Sequence, residues 1–124
     1  MPALTTVLFD LDGTLVDSLH DIAAAVADTL RAIAPAATPP DVARIRSFVG
    51  EGAAMLVARS LVAAGLERKV EEVLPLYLDV YRRHLLDTTR FYPGALPALD
   101  ALQGRTLCVL TNKPGDLSRE LLAG

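Results

Sequence analysis

Two regimes of hydrophobic patterning divide this chain. Short, unbroken apolar runs stand near each end: Val7-Leu8-Phe9, with Leu4 a little upstream, and Thr106-Leu107-Cys108-Val109-Leu110. Runs of that length without alternation read as buried β-strands. Between them the period changes to three and four. Ile22, Val26, Leu30 and Ile33 mark an amphipathic helix, and Ser18 with Asp21 three residues later resembles a capping box at its start. Pro35 and Thr38-Pro39-Pro40 stop it. Thr38 as N-cap, Pro39 at the first helical position and Asp41 in the first turn predict a second helix.

A third helix is predicted from about Ala53 to Ala64, closing on Gly65. From Glu67 to about Leu86, Val70, Val73, Leu74, Tyr77, Tyr81 and Leu85 share one face, with Pro75 expected to kink or divide the helix. Residues 19 to 87 thus form an all-helical block without a strand candidate. Phe91-Tyr92-Pro93-Gly94 is a turn, followed by a short helix carrying Leu96, Leu99 and Leu102, and a last helix begins near Asp116. The fold class is therefore α/β, with two parallel strands bracketing a helical insert. Strands set side by side in parallel would bring Asp10, Asp12, Thr111 and Asn112 to one edge of a sheet, where open α/β sheets bind ligands.

Composition narrows the function more than the fold. The 124 residues are 52% hydrophobic and 22% charged, a globular composition of about one small domain. A formal charge of −3 with no basic stripe speaks against nucleic acid as a partner. It also means that an anionic substrate needs a local cation to draw it in. The single cysteine, Cys108, lies within an apolar run and is expected to be a small buried filler rather than a reactive thiol. Nothing resembles a signal peptide, and no run of about 18 apolar residues suggests a membrane span. A cytoplasmic location is the expectation.

The chemistry concentrates in Phe9-Asp10-Leu11-Asp12-Gly13-Thr14-Leu15-Val16-Asp17-Ser18. Two carboxylates at i and i+2 repel each other unless a cation or a shared proton offsets the repulsion. Oxygen donors at a crowded anionic site favour a hard cation such as Mg²⁺. Two plainer readings compete. Asp and Gly after a strand are ordinary turn residues. A calcium loop fails on spacing, because Leu15 stands where its glycine is required and Asp21 where its bidentate glutamate is usual.

Phe9 to Ser18, FDLDGTLVDS, resembles the first motif of the haloacid dehalogenase (HAD) superfamily of aspartate-nucleophile phosphatases. Leu110 to Pro114, LTNKP, resembles its second motif. A helical cap inserted directly after the first motif is also typical of it. Val49-Gly50-Glu51-Gly52-Ala53, Phe91-Tyr92-Pro93-Gly94 and TNKP are most similar to the phosphoglycolate phosphatase branch. The resemblance implies a Rossmann-like HAD core, partial here, from residues 1–18 and 88–124, with a helical cap domain over 19–87.

It further implies Asp10 as nucleophile and Asp12 as general acid/base, with Mg²⁺ held by the Asp10 carboxylate and the Asp12 carbonyl. Thr111 and Asn112 would grip the phosphate, Lys113 would stand near a substrate carboxylate, and the Gly50-Glu51-Gly52 loop would close over a small phosphorylated metabolite. His20 and His84 are expected to be structural or solvent-facing, and Tyr77, Tyr81 and Tyr92 to pack within the cap. Sugar-phosphate mutases and pyrophosphatases share the first motif, so they remain alternatives. The superfamily's later motifs, a lysine and an acidic pair, fall beyond Gly124. Two parallel strands alone leave edges unpaired, so a truncated, non-catalytic product that binds a partner or self-associates, as a homodimer or a swapped dimer, is the rival expectation.

Overall fold

The computed structural model describes residues 6–102, 104–109 and 111–124. Leu4 and Leu110 of the predicted strands lie outside them. β1 (Thr6–Phe9) and β4 (Thr106–Val109) pair in parallel, Thr6 opposite Thr106 through Phe9 opposite Val109. Between them run α1 (Leu19–Ile33), α2 (Val42–Phe48), α3 (Ala53–Ala63) and α4 (Val70–His84). α4 packs against α1 and α3, and α2 lies against both of those helices. α5 (Ala95–Ala101) and α6 (Gly115–Ala123) flank β4 in sequence. No helix among the described residues is long and apolar enough to cross a membrane.

Two short strands escaped the periodicity. β2 (Val16–Asp17) and β3 (Arg90–Phe91) pair antiparallel, Val16 opposite Phe91 and Asp17 opposite Arg90. The Tyr92 N–H donates to the Leu15 carbonyl at 3.0 Å and extends the pairing. The chain therefore leaves for the helices and returns from them along one narrow ribbon. The FYPG turn is correspondingly shorter than predicted: Phe91 belongs to β3, and Gly94, at φ +90°, makes the turn itself.

Asp21 fastens the same crossing. The predicted capping box does not form, because Ser18 and Asp21 each serve a more distant partner. The Asp21 carboxylate, 2% exposed, accepts from the main-chain N–H and hydroxyl of both Thr88 and Thr89 at 2.6–3.0 Å. Burial alone would raise its pKa, but these donors outweigh the desolvation and hold it below the ordinary carboxylate value.

The other helix boundaries follow local chemistry. α2 begins three residues later than predicted, because Asp41 rather than Thr38 is the N-cap and accepts from the Arg44 N–H at 2.9 Å. α3 does close on Gly65 (φ +72°), whose N–H reaches the Val62 carbonyl while that of Leu66 reaches Leu61. α4 is unbroken despite Pro75. The proline lies on the exposed side, while Val73, Tyr77, Val80 and Tyr81 on the other side are buried. Each buried aliphatic side chain contributes about 1.5–3 kcal/mol, enough along this face to offset one missing helix bond.

Burial is uneven. Ile22, Val26 and Leu30 of α1 join Ile45, Leu56, Leu61 and the buried side of α4 in a continuous apolar core. The β1–β4 sheet is bare by comparison: Leu8 is 61% exposed, Val109 39%, and Cys108 is exposed rather than a buried filler. Leu8 and its register partner Cys108 share one face of the sheet and stand exposed, whereas on the other face Phe9 packs against the core. His84, at the end of α4, bridges Asp28 of α1 and Asp87, and those carboxylates hold its pKa above the ordinary imidazole value. Its role is structural, as expected, and His20 is exposed.

Candidate active site

The site forms where β1 and β4 end. Past Phe9 the chain curls around Leu11, which is 0% exposed. The N–H groups of Leu15 and Val16 converge on the Leu11 carbonyl at 3.0 and 3.1 Å, and Gly13 takes φ +82° to donate to the Val16 carbonyl. A side chain at that φ would be strained, which accounts for the glycine. This curl leaves Asp10 exposed, with Oδ1 accepting from the Leu11 N–H at 2.8 Å. Asp12 points inward. Its Oδ1 accepts from the Ser18 hydroxyl at 2.6 Å and faces the Lys113 ammonium at 3.2 Å, and no described contact engages Oδ2.

Parallel pairing brings the second segment alongside. Thr111 and Asn112 border the same cleft as Asp10. The Thr111 hydroxyl accepts from the Lys113 N–H at 3.2 Å, which curves the loop, and Asn112 is exposed. The Asn112 amide donates to the Gly50 carbonyl at 2.6 Å. Gly52 takes φ +92°, which would strain any other residue, and lies against Asn112, where a Cβ would meet the carbonyl oxygen at an ordinary 3.5 Å. Glu51 turns away and pairs with Arg59 at 2.7 Å. The Gly50-Glu51-Gly52 loop is thus brought onto the sheet edge through its backbone and its glycines.

Lys113 lines the narrow side of the cleft, and its ammonium is already engaged there. Its side chain is 4% exposed. The ammonium donates to the Tyr81 hydroxyl and lies 4.2 Å over that ring, besides facing Asp12. Burial lowers its pKa, and the Asp12 charge opposes the shift. Tyr81 in turn stacks on Tyr77 at 5.8 Å, and burial followed by the Asp12 charge raises both phenols. Tyr77 and Tyr81 therefore pack as predicted, whereas Tyr92 is 36% exposed and borders the open side of the site.

Sequence reading missed Ser18 and Tyr81 as partners of the site. The only signal for Tyr81 was its place one turn beyond Tyr77 on the apolar face of α4. For Ser18 there was none beyond its position at the end of the motif.

All donors available to a metal here are oxygens: the exposed Asp10 carboxylate and the groups of Asp12. Among the described residues no three His, Cys, Asp or Glu side chains converge as a self-sufficient metal cage. A donor set of this kind fits a hard cation that keeps several water or substrate oxygens, which is the behaviour of Mg²⁺.

Two carboxylates and a polar loop after β4, at the carboxyl ends of parallel strands and beside a helical insert, occupy the edge at which open α/β sheets bind their ligands. A family model for haloacid dehalogenase-like hydrolases matches residues 4–123. The chain belongs to that family. It is 42% identical over 127 residues to a phosphoglycolate phosphatase of Rhodospirillum rubrum, with 95% of this chain and 52% of that protein covered. It is 38% identical over 116 residues to phosphoglycolate phosphatase 1 of Pseudomonas aeruginosa, covering 87% and 41%. A crystal structure described as a predicted phosphoglycolate phosphatase from Haemophilus somnus superposes with a TM-score of 0.85 at 29% identity, covering 97% of this chain and 56% of that one. The chain spans about half the length of the curated relatives it matches.

Proposed function

We propose that this chain carries the nucleophile, the acid/base and the phosphate grip of a phosphatase acting on a small phosphate monoester, 2-phosphoglycolate. The observation that carries the reading is the grouping of an exposed Asp10, a fastened Asp12 and the Thr111-Asn112 loop around one cleft. Asp10 attacks phosphorus and the bond to the ester oxygen breaks, giving an aspartyl-phosphate. Asp12 Oδ2 delivers a proton to the departing alkoxide, then takes one from the water that cleaves the intermediate and restores Asp10. Ser18 and Lys113 fix Oδ1, so the free oxygen keeps one orientation through both steps.

The Thr111 hydroxyl and the Asn112 N–H serve the phosphoryl oxygens. Mg²⁺, held by the Asp10 carboxylate and the Asp12 carbonyl, would supply positive charge to the transferring phosphoryl group. The names of the relatives favour phosphoglycolate over the sugar-phosphate mutase and pyrophosphatase alternatives. Assay of the chain against a panel of phosphate esters is expected to show Mg²⁺-dependent release of phosphate, lost on chelation and fastest with 2-phosphoglycolate. Faster turnover of bulky sugar phosphates would overturn the substrate assignment.

One observation favours a second reading, in which the chain self-associates through its sheet: the exposure of Leu8, Cys108 and Val109 on β1 and β4. Among the described residues that sheet has only two strands, so the outer backbone of each is also unpaired, a template for pairing with another strand. Light scattering is then expected to give at least twice the 13.2 kDa chain mass. A soluble monomer at micromolar concentration would sink this reading.

A further inference from the structure

The carboxylate pair opens in two directions that differ in size and charge. Toward Lys113 and the tyrosines the space narrows to about 50 Å³, room for a few waters and too little for a metabolite. On the opposite side, past Thr14, Ser18 and Tyr92, it widens to about 620 Å³. Three carboxylates, Asp10, Asp12 and Asp17, border that wide mouth, and an anionic ester entering it is repelled by all of them.

One arginine borders the mouth as well: Arg46, in the last turn of α2. Lys113, on the narrow side, is already engaged by Asp12 and Tyr81, and the other basic side chain on the wide mouth, the exposed His20, lacks the paired planar donors of a guanidinium. Arg46 takes part in no ion pair between described residues and is exposed. Its position is not left to a loose helix end, because Gly50, four residues on, is bonded to the Asn112 amide at 2.6 Å.

We infer that Arg46 is the recognition group for the anionic tail of the substrate, the carboxylate of a carboxylated phosphate ester. This deepens the phosphatase reading and rests on it for the placement of the phosphate. With the phosphoryl group between Asp10 and the Thr111-Asn112 loop, the rest of the ester extends toward the wide mouth. A guanidinium presents a planar pair of N–H donors that matches a carboxylate and stays charged at any working pH. Lys113, the residue that sequence suggests for this contact, is spent on Asp12.

The test is a binding titration with Mg²⁺ present, in chain carrying Asp10→Asn so that turnover does not consume the ligand. The probes are 2-phosphoglycolate and methyl phosphate, which share the phosphate and differ in the carboxylate. The Asp10→Asn chain is expected to bind the carboxylated ester about 10- to 100-fold more tightly, the weight of one charge-assisted pair. Adding Arg46→Ala is expected to erase that ratio while methyl phosphate binding changes little. Arg44→Ala removes the same charge from a different side of α2, outside the cleft, and is expected to keep the ratio.

A ratio near one with Arg46 intact, or a ratio that survives Arg46→Ala, overturns the inference, as does failure of both esters to bind. Hydrolysis of 2-phosphoglycolate with no Arg46 dependence would overturn this inference alone. Arg46-dependent binding in a chain whose unsubstituted form hydrolyses neither ester supports it and overturns the catalytic reading instead.

Discussion

Asp10→Asn is expected to lower 2-phosphoglycolate hydrolysis by about 10⁴-fold or more while leaving the chain folded. The size follows from the role: a carboxamide has no anionic oxygen to attack phosphorus, and loss of a covalent nucleophile costs about 10⁴–10⁶ in rate in hydrolases that depend on one. The harmlessness to folding follows from the setting. Asp10 is exposed and, among the described residues, makes a single bond, accepted from the N–H of its own neighbour. Asparagine can accept that bond equally well. Steady-state kinetics beside thermal unfolding monitored by circular dichroism would check both halves. A rate within tenfold of the parent chain removes Asp10 as the nucleophile.

The second large effect is on stability. Asp21→Asn is expected to destabilise the chain by about 3–5 kcal/mol, the loss of roughly two buried hydrogen bonds to a charged acceptor at about 1.5–3 kcal/mol each. Four donor groups from Thr88 and Thr89 converge on this carboxylate, and asparagine would turn an N–H₂ toward some of them. For a chain of this length the melting temperature should fall by roughly 10 °C or more.

The pH dependence carries a sign of its own. The folded pKa lies below the unfolded value of 3.8, so the folded state binds fewer protons and the carboxylate stabilises it fully above that pH. The contribution fades as pH falls through the lower, folded pKa. The substituted chain should lack that part of the acid limb. Melting curves between about pH 2 and 6 test it, and parallel curves for the two chains would show that Asp21 does not matter.

The site was more legible in the sequence than the fold that supports it. Asp10 and Asp12 could be found because a strand, two carboxylates and a glycine follow one another within seven residues. Thr111 and Asn112 could be found because a second apolar run ends beside them. Partnerships across the chain could not. Ser18 and Asp21 have the spacing of a local cap worth about 1 kcal/mol, yet Ser18 bonds back to Asp12 within the motif loop and Asp21 to Thr88 and Thr89 across the chain. β2 and β3, of two residues each, are shorter than any period can reveal. Cys108 and Leu8 show the limit from another side: apolarity states what a residue gains from cover, and the supply of cover is a property of the whole fold.

The ribbon through which the chain enters and leaves the helices sets an order of folding. Thr6 and Thr106 are 100 positions apart, so their pairing closes a long loop before any contact repays it. Once the helices have collapsed and Val16 meets Phe91, the flexible path between those threonines shortens to about 25 residues. Loop-closure entropy then falls by about 1.2 kcal/mol, two halvings of length at about 0.6 kcal/mol each. The helices, rich in local contacts, should therefore form first, and β1 should meet β4 last. The edge that carries Asp10 and Thr111 becomes whole only at that final step, so the active cleft is the latest part of the molecule to exist.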